Sequence, residues 1–166
     1  EANFINALCY GGGEVISMEN LVFNSQGSLL VTGYYRNSAD FDPGPEGYTL
    51  TALGLNDCYV LSLDTDGIFN WAASVSGESN ECGQDIAVDV YDNVYVTGYF
   101  SGIIDADPGA GSYLMQTEFN TNGFLLKLNN EGNFIWKILT QAEYIEIQKD
   151  IDDKRERRRN RSQIIL

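Results

Sequence analysis

Residues 29–71 read LLVTGYYRNSADFDPGPEGYTLTALGLNDCYVLSLDTDGIFNW, and residues 94–136 read VYVTGYFSGIIDADPGAGSYLMQTEFNTNGFLLKLNNEGNFIW. Each landmark of the first stretch returns 65 residues later without a gap: Gly33 as Gly98, Asp42 as Asp107, Gly67 as Gly132 and Trp71 as Trp136. The copies are identical at 14 of 43 positions, where average residue usage gives about three. Other positions exchange like for like, among them Tyr35/Phe100, Val60/Leu125 and Asp64/Asn129. A repeat of this length marks an array of supersecondary units, so it decides the architecture.

Within each unit the runs LLVTGYY and VYVTGYF are β-branched and aromatic, the composition of strands. Before them stand ISMENLVFN at 16–24 and ECGQDIAVD at 81–89, whose apolar halves suit short buried strands. Turns at Gln26-Gly27-Ser28 and Tyr91-Asp92-Asn93 make each pair a hairpin. A second hairpin follows in CYVLSL–DTDG–IFNWAASV and again in GFLLKL–NNEG–NFIWKIL, with an acid or amide before glycine at the turn. Between the hairpins lies a Gly- and Asp-rich insertion, 36–57 and 101–122. It carries D-x-D-P-G and a short apolar run, YTL at 48–50 or YLM at 113–115.

Four antiparallel strands per repeat is the anatomy of a β-propeller blade. The expected fold is therefore all-β, a β-propeller fragment of four-stranded antiparallel blades. The end of a preceding blade falls at 1–12, blade repeats at 13–77 and 78–140, and a charged tail at 141–166. Tyr144, Ile147 and Ile151 in the tail fit a short amphipathic helix, and its run KRERRRNR fits a solvated or disordered end. Rings typically need about four to eight blades. Two blades thus imply further blades of the same parent chain, or self-association.

Composition limits the function. The 166 residues carry 24 acidic and 10 basic side chains, a net charge of −14. Residues 1–140 hold 18 of the acids and 3 of the bases, and the tail holds the remaining 6 and 7. Nucleic acid requires a basic face, so it is not the expected partner. A strongly acidic surface instead favours solubility and attracts cations such as calcium. The chain has no histidine, which removes imidazole bases, histidine triads and His-ligated zinc. No stretch is long and apolar enough to span a membrane. Cys9, Cys58 and Cys82 show no metal-ligand spacing, and one pair of them could form a disulfide.

The segments DNVYVTGYF at 92–100 and GFLLKLNNEGNFIW at 123–136 resemble the bacterial β-propeller repeats often called seven-bladed propeller repeats. The resemblance covers about residues 12–140, and the first copy departs from it at Ser28-Leu29-Leu30. The Asp-Phe-Asp-Pro-Gly insertion at 40–44 looks like a variant found in large secreted or surface-attached bacterial proteins. The resemblance implies an extracellular or cell-surface setting and no shared reaction, so it carries fold more than function.

Candidate sites follow from the repeat. Asp40 and Asp42, with Asp105 and Asp107 one repeat later, place two carboxylates two residues apart in a turn, a pattern that can converge on Ca²⁺. The competing reading is that each Asp begins its Pro-Gly turn by accepting from its own backbone. The DTDG turn at 64–67 has the same alternation, but its copy NNEG keeps one acid, so a hairpin turn explains both. Trp71 and Trp136 suit packing between blades better than a ligand platform. In Tyr34/Tyr35 and Tyr99/Phe100, adjacent strand residues face opposite sides, so one of each pair belongs to the core.

The function expected is a non-enzymatic scaffold or binding module of an exported bacterial protein, engaging a protein or glycan partner through its loops. No required cofactor is expected. One alternative is part of a hydrolase acting on extracellular polysaccharide, which would show a deep pocket with unrepeated acids. The other is a structural repeat stiffened by calcium at the Asp loops.

Overall fold

The computed structural model describes residues 15–42 and 44–135. The expected partial blade at 1–12, the tail at 141–166, Cys9 and Trp136 lie outside the described residues. What is described is all-β, with strands β1 (Ile16–Phe23), β2 (Leu29–Tyr35), β3 (Ser38–Asp40), β4 (Thr49–Thr51), β5 (Asp57–Leu63), β6 (Phe69–Gly77), β7 (Cys82–Val88), β8 (Val94–Asp105) and β9 (Leu114–Leu128).

The first repeat forms one antiparallel meander. Strand β1 pairs with β2, β2 with β5, and β5 with β6. The second repeats the pattern with β7, β8 and β9, and a bridge from Leu128 to Phe134 begins the next rung. These are consecutive blades of a propeller fragment. Among the described residues they meet edge to edge at Ser76↔Asp105 and Gly77↔Ile104 and at an isolated bridge, Asn56↔Asn80; most of their contact is face to face.

The alternation of side chains along each strand explains that contact. In blade 1, Val31, Tyr35, Tyr59, Leu61 and Leu63 point to one buried cluster, where Ala39 and Phe41 of the insertion pack on them. Leu30, Cys58, Val60, Ala73 and Val75 point the other way. They meet Val96, Phe100, Phe124, Leu126 and Leu128 of blade 2 in a second cluster. A shift of 65 residues maps these five blade 2 residues onto Val31, Tyr35, Tyr59, Leu61 and Leu63. The same face of every unit is thus built to lie on the opposite face of a neighbour. Leu125, the counterpart of Val60, remains exposed on the outer face of blade 2.

Gly33 and Gly98 have a shared structural reason. Opposite each of them the partner strand bulges, between Met18 and Asn20 and between Gly83 and Asp85. A Cβ at either glycine would fall on a carbonyl oxygen, that of Ser17 or of Cys82. The Val-Thr-Gly signature therefore marks where two backbones press together.

One expectation is corrected. The apolar half of β1 is not a buried strand: Leu21 and Phe23 are 45% and 61% exposed. Strand β1 is the edge of its sheet, and only Val22 of that half packs on the core. The insertion also differs between copies. Its register is the same, Asp40↔Thr49 and Asp105↔Leu114. In the first copy it is a separate two-stranded sheet, whereas in the second it merely extends β8 and β9. The cause is the segment 52–56, which is diverted so that Leu55 and Asn56 donate backbone N–H groups to the Ser79 carbonyl in the connection between blades.

Candidate functional site

Antiparallel order puts all four tight turns at one end of the blades and both insertions at the other. The turns share one chemistry. Asn24, Asp64, Asp89 and Asn129 each use Oδ1 to accept the N–H groups two and four residues ahead, at 2.8–3.0 Å. The residue three ahead has positive φ in every case: Gly27, Gly67, Asp92 and Gly132. Only an Asx residue supplies that acceptor, and glycine takes that backbone conformation without strain.

Asp92 is the exception, a non-glycine at φ 60°, and its side chain shows what it contributes. Its Oδ1 accepts the Ser25 N–H at 2.9 Å and its Oδ2 accepts the Ser25 hydroxyl at 2.7 Å. This ties the first turn of blade 2 to the first turn of blade 1. A second tie joins the later turns: the Trp71 indole N–H donates to the Asn130 carbonyl at 2.9 Å, and the ring lies against Gly132. Trp71 is therefore packing between blades, as its recurrence implies.

An open cleft of about 580 Å³ lies at this end, between the two ties. Its lining includes Gln26, Ser62, Asp64, Asn70, Trp71 and Glu131. Amides, hydroxyls, the carboxylates of Asp64, Asp92 and Glu131 and an indole edge can donate and accept many hydrogen bonds to a polar ligand. Among the described residues the cleft holds no nucleophile–base pair and no basic group. It suits recognition more than reaction.

The other end holds the paired acids singled out by sequence. Asp40 Oδ1 accepts from Asp42 N (3.1 Å) and Tyr48 N (2.7 Å), and Asp42 Oδ1 accepts from Gly44 N (2.7 Å). The copy is the same: Asp105 Oδ1 takes Asp107 N (3.0 Å) and Tyr113 N (2.8 Å), and Asp107 Oδ1 takes Gly109 N (2.8 Å). Each loop is thus laced by its own carboxylates. Burial pulls the Asp105 carboxyl upward, but the bonds from Tyr113, Ser112 and Asp107 outweigh it and hold the group below the usual range. The loops also stack Tyr48 on Phe69 and Tyr113 on Phe134, with centroids 4.9 and 5.4 Å apart. The two loops do not bring their acids together, and among the described residues no three acidic, Cys or His groups cluster as a metal site.

The adjacent aromatics divide as expected. Tyr35 and Phe100 are buried, while Tyr34 and Tyr99 are partly exposed. Burial, against a hydrogen bond to Ser74, pushes the Tyr35 hydroxyl up to about 12. Cys58 and Cys82 are free buried thiols whose pKa burial raises. On the outer face of blade 2, Lys127 lies 3.7 Å from Asp89 and over the Tyr95 ring.

Sequence reasoning passed over Asp57 and Glu81, both fully buried. Neither is shared between the two described blades: their counterparts there are Asn122 and Ile16. That break in the pattern is the signal that marks them.

The repeat has a curated relative. Over 153 aligned residues the chain is 25% identical to an uncharacterized WD repeat-containing protein of Acanthamoeba polyphaga mimivirus, with 77% of this chain matched. The chain spans about 11% of the length of that relative. No family model matches, and no solved structure does. The relative agrees with a propeller-type repeat and names no reaction.

Proposed function

We propose that this chain is part of a non-enzymatic β-propeller binding module of an exported bacterial protein, meeting a protein or glycan partner at the cleft end of its blades. The observation that carries the reading is the cleft itself: rigid Asx turns, tied blade to blade, present a polar lining with no catalytic pairing. The likeness to a WD repeat-containing protein supports an architecture that repeats for display rather than for chemistry. The extracellular or cell-surface setting rests on the resemblance of the Asp-Pro-Gly insertions to those of secreted bacterial repeats. Among the described residues, no helix is long and apolar enough to cross a membrane.

The test is binding of the full chain to immobilised bacterial-surface glycans and proteins, compared with Gln26→Ala and Asn70→Ala variants that melt like the parent. Loss of binding in the variants supports the cleft. Unchanged binding moves the interface elsewhere. Release of new reducing ends from a polysaccharide would make the protein a hydrolase and refute the reading.

A further inference from the structure

Asp57 opens β5 and Glu81 immediately precedes β7, so the two acids come from different blades. A parallel bridge joins the residues just before them, Asn56 and Asn80. The Asn56 side-chain amide donates to Asn80 Oδ1 at 2.8 Å, and Glu81 N donates to the Asn56 carbonyl at 2.8 Å. Continuing in the same direction from one bridge, Asp57 and Glu81 lie side by side.

Their surroundings are unequal. Asp57 accepts the backbone N–H groups of Leu53 (3.0 Å) and Gly54 (3.3 Å). Glu81 has 0% exposure, and neither of its carboxylate oxygens makes a well-formed hydrogen bond among the described residues, although the backbone N–H groups of Gly77 and Ser101 lie near enough to favour its charge. Among the described residues no ion pair reaches either acid: the described ion pair is Lys127–Asp89 on the far face. Arg36 is occupied by Asn56 Oδ1 at 2.5 Å and stays exposed. The other titratable groups near the pair are Cys58, Cys82 and Tyr35, whose neutral forms burial favours. Two buried carboxyls without a counter-charge are costly, because desolvation penalises charge and like charges repel. Burial and then the Asp57 charge push the Glu81 carboxyl up to about 7, against a downward pull from the Gly77 and Ser101 backbone N–H groups.

Backbone oxygens complete the setting. A Cβ built on Gly77 would lie 2.6 Å from the Ile103 carbonyl oxygen and 3.1 Å from Glu81 Oε1. The Gly77 carbonyl itself lies against Gly54. Without a side chain at Gly77, the Ile103 carbonyl oxygen and Glu81 Oε1 both come close to its backbone.

We propose that Glu81 and Asp57, with the backbone oxygen of Ile103, form a calcium site that joins blade 1 to blade 2. An all-oxygen donor set with two carboxylates and a carbonyl is the chemistry Ca²⁺ takes. The ion supplies the counter-charge that the described residues lack at this junction. The site is separate from the Asp-Pro-Gly loops and does not depend on any partner at the cleft.

The experiment is a thermal melt of the full chain at pH 7.5 in calcium chloride and in excess chelator. Wild type, Glu81→Gln, Asp57→Asn and the loop double variant Asp42→Asn/Asp107→Asn are compared. An ion that binds only the folded state raises the melting temperature by mass action, here by about 4 °C or more. The expected result is that shift in wild type and in the loop variant, and its loss in Glu81→Gln and Asp57→Asn. No shift in wild type, or a shift that survives Glu81→Gln, overturns the proposal. A shift lost only in the loop variant overturns it in favour of the loops. Terbium luminescence on the loop double variant gives a reading that does not require changing Glu81 or Asp57: saturable emission displaced by calcium supports the site, and its absence refutes it.

Discussion

Replacing Trp71 tests how the blades are held together. Its indole N–H donates to the Asn130 carbonyl at 2.9 Å, and its ring carbons pack on Gly132 of the next blade's turn. Trp71→Phe keeps most of the packing and deletes the hydrogen bond, which costs about 1 kcal/mol, plus a few tenths for the missing ring. Trp71→Ala removes the side chain entirely. A buried Trp would cost about 3–5 kcal/mol, and this partly exposed one should cost about 2–3. Gly132→Ala attacks the same contact from the other side. Its Cβ would come within 2.6 Å of the ring, at φ 82°, so it adds steric and backbone strain. The assay is urea unfolding of the full chain followed by circular dichroism, with a double-mutant cycle between Trp71→Phe and Gly132→Ala. Non-additivity of at least about 0.5 kcal/mol is expected for a direct contact. If Trp71→Ala costs less than about 1 kcal/mol, or the cycle closes additively, the tie between the turns does not hold the blades and the reasoning fails.

Other predictions follow from the repeat and its exceptions. Gly33→Ala and Gly98→Ala should each destabilise by about 2–3 kcal/mol, because each added methyl meets a carbonyl oxygen across a bulge; a much smaller cost at either in chemical denaturation would refute the shared cause. Asp40→Ala and Asp105→Ala should each cost about 1 kcal/mol while the Asn variants stay close to wild type, since an amide oxygen serves the turn equally well. Asn variants as damaging as Ala would return these loops to the metal reading. In chelator, the folded Glu81 carboxyl titrates near 7 rather than at 4.5, so the folded chain holds more protons than the unfolded one between those values. Stability must then fall as pH rises, by about 2 kcal/mol from pH 5.5 to 7.5. Asp89 and Asp105 shift downward and lose their contribution only at lower pH. Denaturation midpoints across that window should flatten in Glu81→Gln, and a wild-type profile already flat would contradict the buried, unpaired carboxyl.

The sequence alone determined what is local or periodic. Strand alternation, the Asx–Gly turns and the 65-residue repeat each depend on residues a few positions apart or on copying, so LLVTGYY and VYVTGYF announce their strands and DTDG its turn. The Asp-x-Asp pairs were legible as functional candidates, but their geometry needed backbone N–H positions: the hydrogen bonds from Tyr48 and Tyr113 come from eight residues on. Only the tertiary structure decided the rest. It made β1 an edge and left Phe23 exposed, it detached β3 and β4 as a separate sheet, and it brought Ser25 to Asp92 and Trp71 to Asn130 across 67 and 59 residues. It also laid Asp57 beside Glu81. Pairings at such separations are set by how one blade stacks on the next, and stacking depends on the whole faces of both sheets rather than on any short pattern within either.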